Sequence, residues 1–157
     1  MDVEILKTKV QDIVGKASAL KNRHIVEHDS PVNYACIFSQ SREEYDELIT
    51  VTHQIGKVIK ETSTGLLFQI EPIQTSSGIL QLLKIRIPDI TRPELGDADF
   101  TITNFPDFEE RNLGKAQFKR IEKENFYMIE LMESGCDVRA YFSNPPLDAQ
   151  LGVKESL

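Results

Sequence analysis

Two stretches of this chain, residues 33–88 and 97–143, carry the same order of hydrophobic patterns: one strand pattern, one helix pattern and three further strand patterns. Strand patterns alternate apolar and polar residues or form short apolar runs, whereas helix patterns repeat every three or four residues. The two stretches share no residue-level repeat, so the duplication is one of element order. This order predicts an α+β fold made of two βαβββ modules.

The first module contains the clearest helix pattern. Ser41 and Glu44 form a capping box at its start, because each side chain can accept a hydrogen bond from a free backbone amide of the first turn. Gly56 ends the helix. A buried strand pattern over residues 32–38 precedes it, and turn residues at 62–65 and 76–78 separate the three strands that follow.

The second module repeats this order with a shorter helix, which has Pro106 in its first turn and Gly114 after its end. Residues 1–22 form a further helix pattern with one apolar stripe, which we expect to pack across the outside of the domain. Residues 144–157 show little periodicity, and we expect this tail to be loose or to lie along the surface. We therefore predict a single domain over residues 1–143, followed by the tail.

Charge narrows the classes of partner. The formal net charge is −7, which argues against a nucleic-acid partner and against docking on an anionic membrane surface, since both require a basic face. The sequence has neither an apolar run of about 18 residues, as a membrane helix needs, nor the pattern of a secretory signal. Its two cysteines, Cys36 and Cys136, do not make a disulfide framework. We expect a cytoplasmic protein with reduced thiols.

Paired βαβββ modules are the hallmark of the glyoxalase-like, or vicinal oxygen chelate, superfamily, and this chain most resembles its small YecM-like branch. The resemblance spans roughly residues 25–143 and is carried by three stretches: Val32-Asn33-Tyr34-Ala35, Glu71-Pro72-Ile73 and Gly96-Asp97-Ala98-Asp99-Phe100. It implies two curved sheets that face each other across a cleft. It also implies a divalent ion that binds two neighbouring oxygens of a substrate and stabilises their developing charge.

The chain departs from the superfamily at its metal ligands. Asn33 stands where the resemblance implies a histidine on the first strand, and Lys84 stands where it implies a carboxylate near the end of the first module. The corresponding position on the last strand is near Arg139. A hard ion such as Mg²⁺, with water, could be bound only by the remaining carboxylates: Asp97, Asp99 and Glu130.

Strand alternation groups polar side chains on common faces. Asn33 shares a face with Ala35 and Ile37, and the strand that begins at Asp97 also carries polar residues on one face. This alternation is equally typical of the solvated side of an antiparallel sheet. If these faces instead line the cleft, the candidate ligand-binding residues are Asn33, Arg86, Asp97, Asp99, Glu130, Arg139 and Tyr141. We expect Arg139 and Tyr141 to anchor an anion, because a guanidinium offers a planar fork of donors to a carboxylate or phosphate.

Three functions are compatible with these patterns. The first is binding of a small polar or anionic ligand in the cleft between the modules. The second is a metal-dependent isomerase, lyase or dioxygenase of the resembled superfamily. The third is a non-enzymatic interaction domain, in which the apolar stripe of the N-terminal helix binds a partner or a second copy of the chain as a homodimer.

Overall fold

The computed structural model describes residues 1–152. In this range the helices are α1 (Val3–Asn22), α2 (Arg42–Thr52), α3 (Phe105–Asn112) and α4 (Leu147–Leu151). The strands are β1 (Val32–Phe38), β2 (Gly56–Thr62), β3 (Gly65–Thr75), β4 (Gly78–Arg86), β5 (Gly96–Phe100), β6 (Phe118–Glu122), β7 (Tyr127–Leu131) and β8 (Val138–Asn144). An N-terminal helix followed by two βαβββ modules confirms the predicted fold class.

The strands form one mixed sheet in the order β2-β3-β4-β1-β5-β8-β7-β6. Within each module the first strand pairs in parallel with the last, β1 with β4 and β5 with β8. The modules join where β1 and β5 pair antiparallel. Each half of the sheet therefore has the same topology, and the two first strands lie together at its centre.

Local sequence explains where α2 begins. The Ser41 hydroxyl oxygen accepts a hydrogen bond from the Glu44 backbone N–H at 3.0 Å. The Glu44 carboxylate accepts in turn from the backbone N–H of Gln40 at 2.9 Å. The predicted capping box is thus present, and it satisfies amides that would otherwise lack a partner at the helix start.

The hydrophobic core lies between the sheet and the three longer helices. The apolar stripe of α1 is buried there, with Leu6 and Val10 fully covered and Ile13 only 1% exposed. The helix packs across the outside of the sheet, as the sequence predicted. The chain itself therefore covers this stripe, so the interaction-domain alternative has no exposed apolar stripe on this helix. Homodimer formation stays a prediction. Within residues 1–152, none of the helices has both the length and the apolar character needed to cross a membrane.

Side chains alternate between the core and the opposite, concave face of the sheet. On β5, Ala98 and Phe100 belong to the core, whereas Asp97 and Asp99 line a cavity on the concave face. These carboxylates are 6% and 1% exposed, so they do not belong to a solvated sheet surface. The polar face predicted for the start of β5 is therefore enclosed at Asp97 and Asp99.

The side chains of β1 do not follow the alternation expected from the sequence. Ala35 and Ile37 were predicted to share a face with Asn33, but both belong to the hydrophobic core, whereas the Asn33 side chain donates to Asp99. The pairing of β1 with β5 shifts between Val32 and Tyr34, which makes Asn33 the extra residue of a β-bulge. A bulge redirects side chains locally, and the alternation counted along the sequence does not continue through it.

The sheet is strongly curved. Its edge strands, β2 and β6, lie at opposite ends of the strand order, yet Thr62 of β2 and Ile121 of β6 line the same cavity. Residues of α4 line it too, namely Leu147 and Gln150. The segment predicted as a tail therefore contributes to the cavity through Leu147 and Gln150. The remainder of that predicted tail, 153–157, lies outside the described residues, and the domain boundary at 143 stays a prediction.

We predict that Gly96→Ala will weaken the junction between the modules. A Cβ at this position would lie 2.1 Å from the carbonyl oxygen of Cys36, and neither backbone can move without breaking the β1–β5 pairing. We expect the free energy of unfolding to fall by about 2 kcal/mol or more in urea denaturation. Gly114→Ala is the matched control, because a Cβ there has no described neighbour within 4 Å; equal effects of the two substitutions would contradict the prediction.

Candidate anion-binding cleft

A cavity of about 380 Å³ lies between the two modules on the concave face of the sheet. This size falls toward the lower end of the range for small-molecule sites, roughly 300–1,000 Å³. The first module and the linker after it contribute mainly cations and hydroxyl groups: Tyr34, Lys60, Thr62, Ser63, Thr64, Leu67, Lys84, Arg86 and Arg92. The second module and α4 contribute carboxylates and a largely apolar wall: Asp97, Asp99, Ile121, Lys123, Phe126, Met128, Tyr141, Ser143, Leu147 and Gln150.

Two cations reach the cavity from β4. Lys84 donates from Nζ to the Thr64 hydroxyl oxygen at 2.5 Å, and burial lowers the pKa of its ammonium group. Arg86 lies 3.5 Å from Asp89 through one terminal nitrogen. Its Nε is buried and has no hydrogen-bond partner among residues 1–152. Both side chains follow from the alternation along β4, whose neighbouring residue Ile85 belongs to the core.

A third cation, Arg92, comes from the linker between the modules. Its guanidinium lies over the Phe38 ring at 5.3 Å and donates to the Tyr141 hydroxyl oxygen at 3.3 Å. The side chain of Gln40 fixes the linker backbone by donating to the carbonyls of Arg92 and Glu94, at 3.2 and 3.0 Å. The linker is therefore held as part of the cleft.

Asp97 is the less satisfied of the two buried carboxylates. Burial, followed by repulsion from Asp99, raises the pKa of Asp97 to about 7, although Arg92, Lys84 and Arg86 act in the opposite direction. Its Oδ1 atom is buried and finds no hydrogen-bond donor in the described part of the chain. Near neutral pH this group is poised between its acid and its carboxylate, so it can either donate or accept a hydrogen bond.

Asp99 is held by specific donors. Asn33 donates its side-chain amide to Oδ1 at 3.0 Å, and the backbone N–H of Ser143 donates to the same oxygen at 3.2 Å. The Ser143 hydroxyl donates to Oδ2. Burial raises the pKa of Asp99 to about 6, while these hydrogen bonds limit the rise. Asn33, redirected by the bulge, therefore acts on Asp99 instead of lining the cavity itself.

Arg139 and Tyr141 form a buried network behind the cavity. Arg139 donates from Nε to Glu94 at 3.0 Å and from Nη1 to Glu130 at 3.4 Å. Tyr141 donates its hydroxyl to the same Glu130 carboxylate at 2.6 Å, and burial raises the pKa of this phenol. Arg139 is thus committed to two carboxylates within the chain, whereas Tyr141 lines the cavity. A direct role of Arg139 in anchoring a ligand stays a prediction.

The side chains that could ligate a metal ion in the cleft do not fit a divalent ion. Among the described residues, no three His, Cys, Asp or Glu side chains come together in a way that could bind one. Asp99 accepts from Asn33 and Ser143, and Glu130 accepts from Tyr141 and Arg139. Asp97 is surrounded by the positive charges named above. The three carboxylates named from the sequence therefore do not form a metal site in this structure.

The sequence identified part of this arrangement and missed part of it. Arg86, Asp97, Asp99 and Tyr141 line one cavity, and Asn33, Glu130 and Arg139 lie behind it as hydrogen-bond partners. Lys84 and Arg92 were not among the predicted site residues. The shared strand face of Lys84 and Arg86 was a usable signal, but nothing local distinguishes Arg92 from other linker residues, since its position depends on Gln40 and Phe38.

Comparison with known proteins supports the fold. No protein-family model matches the sequence, and no curated protein matches it. A structural genomics protein, EC4020, is similar in structure with a TM-score of 0.65 over 92% of this chain and 91% of that chain, at 12% identity. A glyoxalase/bleomycin resistance protein/dioxygenase superfamily member from Vibrio splendidus 12B01 gives a TM-score of 0.42 over 70% of this chain and 95% of that chain, at 8% identity. The similarity to EC4020 is one of fold, and neither of the two similarities assigns an activity to this chain.

We predict that acidification from pH 8 to pH 5 stabilises this protein, and that Asp97→Asn reduces the effect. A carboxyl group whose pKa is higher in the folded state binds more protons there than in the unfolded chain, so stability falls as pH rises from about 4 to about 7. The contribution of Asp97 is on the order of 3 kcal/mol. Urea unfolding of the unaltered protein and the Asp97→Asn variant at pH 5 and pH 8 measures this difference in the free energy of unfolding. Asp137→Asn removes an exposed carboxylate, 69% accessible, and a similar loss of pH dependence in this control would contradict the assignment to Asp97.

Arg139→Ala is expected to destabilise the fold. The substitution leaves Glu94 and Glu130, whose side chains are 12% and 9% exposed, without their common cation. Breaking a buried ion pair on one side costs about 3 kcal/mol or more, which urea denaturation would detect. Arg42→Ala breaks an exposed pair with Asp46 and should change stability by less than about 1 kcal/mol. A full-stability Arg139→Ala variant would show that the network contributes little.

Proposed function

We propose that this protein binds a small anionic ligand in the cleft between its modules. The observation that carries the proposal is the charge of the cavity. Among the described residues five cations line it against two carboxylates, although the chain as a whole has a net charge of −7. Cations lining a cleft with low-dielectric walls attract an anion more strongly than the same charges in water do. The partly protonated state of Asp97 near neutral pH reduces the opposing negative charge further.

Lys84, Arg86 and Arg92 are the groups we expect to contact the anion. Arg86 and Arg92 offer planar guanidinium donors, which suit carboxylate or phosphate oxygens. Tyr141, Asp97 and Asp99 form the floor beneath them. In this proposal Asn33 and Glu130 act indirectly, through their hydrogen bonds to Asp99 and Tyr141. Arg139 acts through Glu130, in place of the direct anchoring role predicted from the sequence.

We further propose membership of the glyoxalase-like superfamily, in its YecM-like branch. The duplicated βαβββ order and the parallel pairing of the first and last strand in each module support it. In this chain positive side chains would take the role that the resemblance gives to a metal ion, because Lys84 occupies a position implied for a metal-binding carboxylate. We also propose a cytoplasmic location: Cys36 and Cys136 are unpaired, and burial raises the pKa of the Cys36 thiol, which keeps it neutral.

Anion binding should raise the melting temperature. We expect inorganic phosphate or benzoate, at constant ionic strength and about tenfold above its dissociation constant, to raise Tm by about 3 °C. Lys84→Met and Arg86→Met should each lose most of this shift, because they remove cavity cations while keeping an apolar stem. Differential scanning fluorimetry of the full chain measures both effects.

Lys57→Met provides the control, since it removes an exposed positive charge from β2, outside the cavity. It should keep the full shift. The proposal fails if neither anion stabilises the protein, or if the Lys57 variant loses the shift as fully as the cavity variants.

A further inference from the structure

Two buried polar atoms of the cleft residues have unused hydrogen-bonding capacity. Arg86 Nε is a donor and Asp97 Oδ1 is an acceptor, and neither has a partner within residues 1–152. Buried polar groups in native proteins are nearly always hydrogen-bonded, because leaving one unpaired costs free energy. The two atoms are of opposite type, and their side chains interact electrostatically. Because both side chains line the same cavity, one ligand that satisfies both atoms must present an acceptor and a donor.

The second module gives the cleft an apolar wall. Ile121 of β6, Phe126 and Met128 at β7, and Leu147 of α4 line the cavity opposite the cations of the first module. A bare inorganic anion would leave this wall unused. A ligand with an apolar body would remove it from water, which is favourable in proportion to the buried apolar area.

We propose that the ligand is a small carboxylate with a hydroxyl or amino group on the carbon next to the carboxylate and an apolar side chain. The carboxylate would accept from Arg86, the neighbouring hydroxyl or amino group would donate to Asp97, and the side chain would pack on Phe126 and Met128. This inference rests on the anion site proposed above and names the class of molecule that the site selects. A cavity of about 380 Å³ has room for such a molecule.

A matched ligand series tests the inference. Isothermal titration calorimetry of the full chain at pH 7 and constant ionic strength would compare leucine, leucate, isocaproate and glycolate. Leucate and leucine carry a hydroxyl or an amino donor on the same skeleton; isocaproate lacks the donor, and glycolate lacks the apolar side chain. We expect leucate or leucine to bind at least about tenfold more tightly than both isocaproate and glycolate, because the hydrogen bond to Asp97 involves an ionisable acceptor in a buried site. Which of the two binds decides between a hydroxyl and an amino donor.

Two variants test which residues are responsible for the preference for the donor group and for the apolar side chain of the ligand. Asp97→Ala should bring leucate or leucine to the affinity of isocaproate, while isocaproate binding itself persists. Met128→Ala should reduce the preference over glycolate and leave glycolate binding unchanged. Lys57→Ala should alter none of these affinities. Should the Asp97 variant fail to fold, the four ligands on the unaltered protein still decide the question.

The possible outcomes distinguish a failure of the proposed ligand class from a failure of the proposed anion site. If isocaproate binds as tightly as leucate and leucine, or if phosphate binds and none of the four carboxylates does, the inference is overturned and the anion site stands. If none of the carboxylates binds and phosphate and benzoate give no thermal stabilisation, both are overturned.

Discussion

The antiparallel pairing of β1 with β5 holds the two modules together, and the position of every cleft residue depends on it. The strands approach so closely at Gly96 that only a residue without a Cβ fits beside the carbonyl of Cys36. The parallel neighbours β4 and β8 then extend the same register outward on both sides. Residues far apart in the chain are thereby aligned across the centre of the sheet: Lys84 with Cys36, Cys36 with Asp97, and Asp97 with Arg139.

This alignment buries two carboxyl groups, Asp97 and Asp99, close together, and their surroundings differ. Asp99 receives three hydrogen bonds, from Asn33 and Ser143, which stabilise its ionised form. Asp97 has no such donors, and the cations of the cleft only partly offset its burial. Two carboxylates two residues apart on one strand therefore differ in what they can do, because hydrogen bonding and desolvation act on them in different proportions. Asp99 is held by donors within the chain, whereas Asp97 Oδ1 has none among the described residues.

The modules share a topology but differ in chemistry. In the first, strands and turns carry cations and hydroxyl groups into the cavity; in the second, the equivalent region is mostly apolar. A cavity with one charged wall and one apolar wall suits a ligand that is charged at one end and apolar at the other. The charged end can pair with the cations, and the apolar end is removed from water. The linker contributes a further cation, Arg92, because Gln40 and Phe38 fix its backbone and side chain.

The sequence by itself determined the elements, their order and the duplication, because helix periodicity, the Ser41–Glu44 cap and strand alternation are local properties of neighbouring residues. It also identified Arg86, Asp97, Asp99 and Tyr141, since alternation along a regular strand predicts which side chains share a face. Only the tertiary structure decided the bulge at Asn33, the pairing of Arg139 with Glu94 and Glu130, and the entry of Arg92 and α4 into the cleft. Each of these depends on strand register and sheet curvature, which arise from contacts between segments distant in the chain and leave no local pattern in the residues concerned.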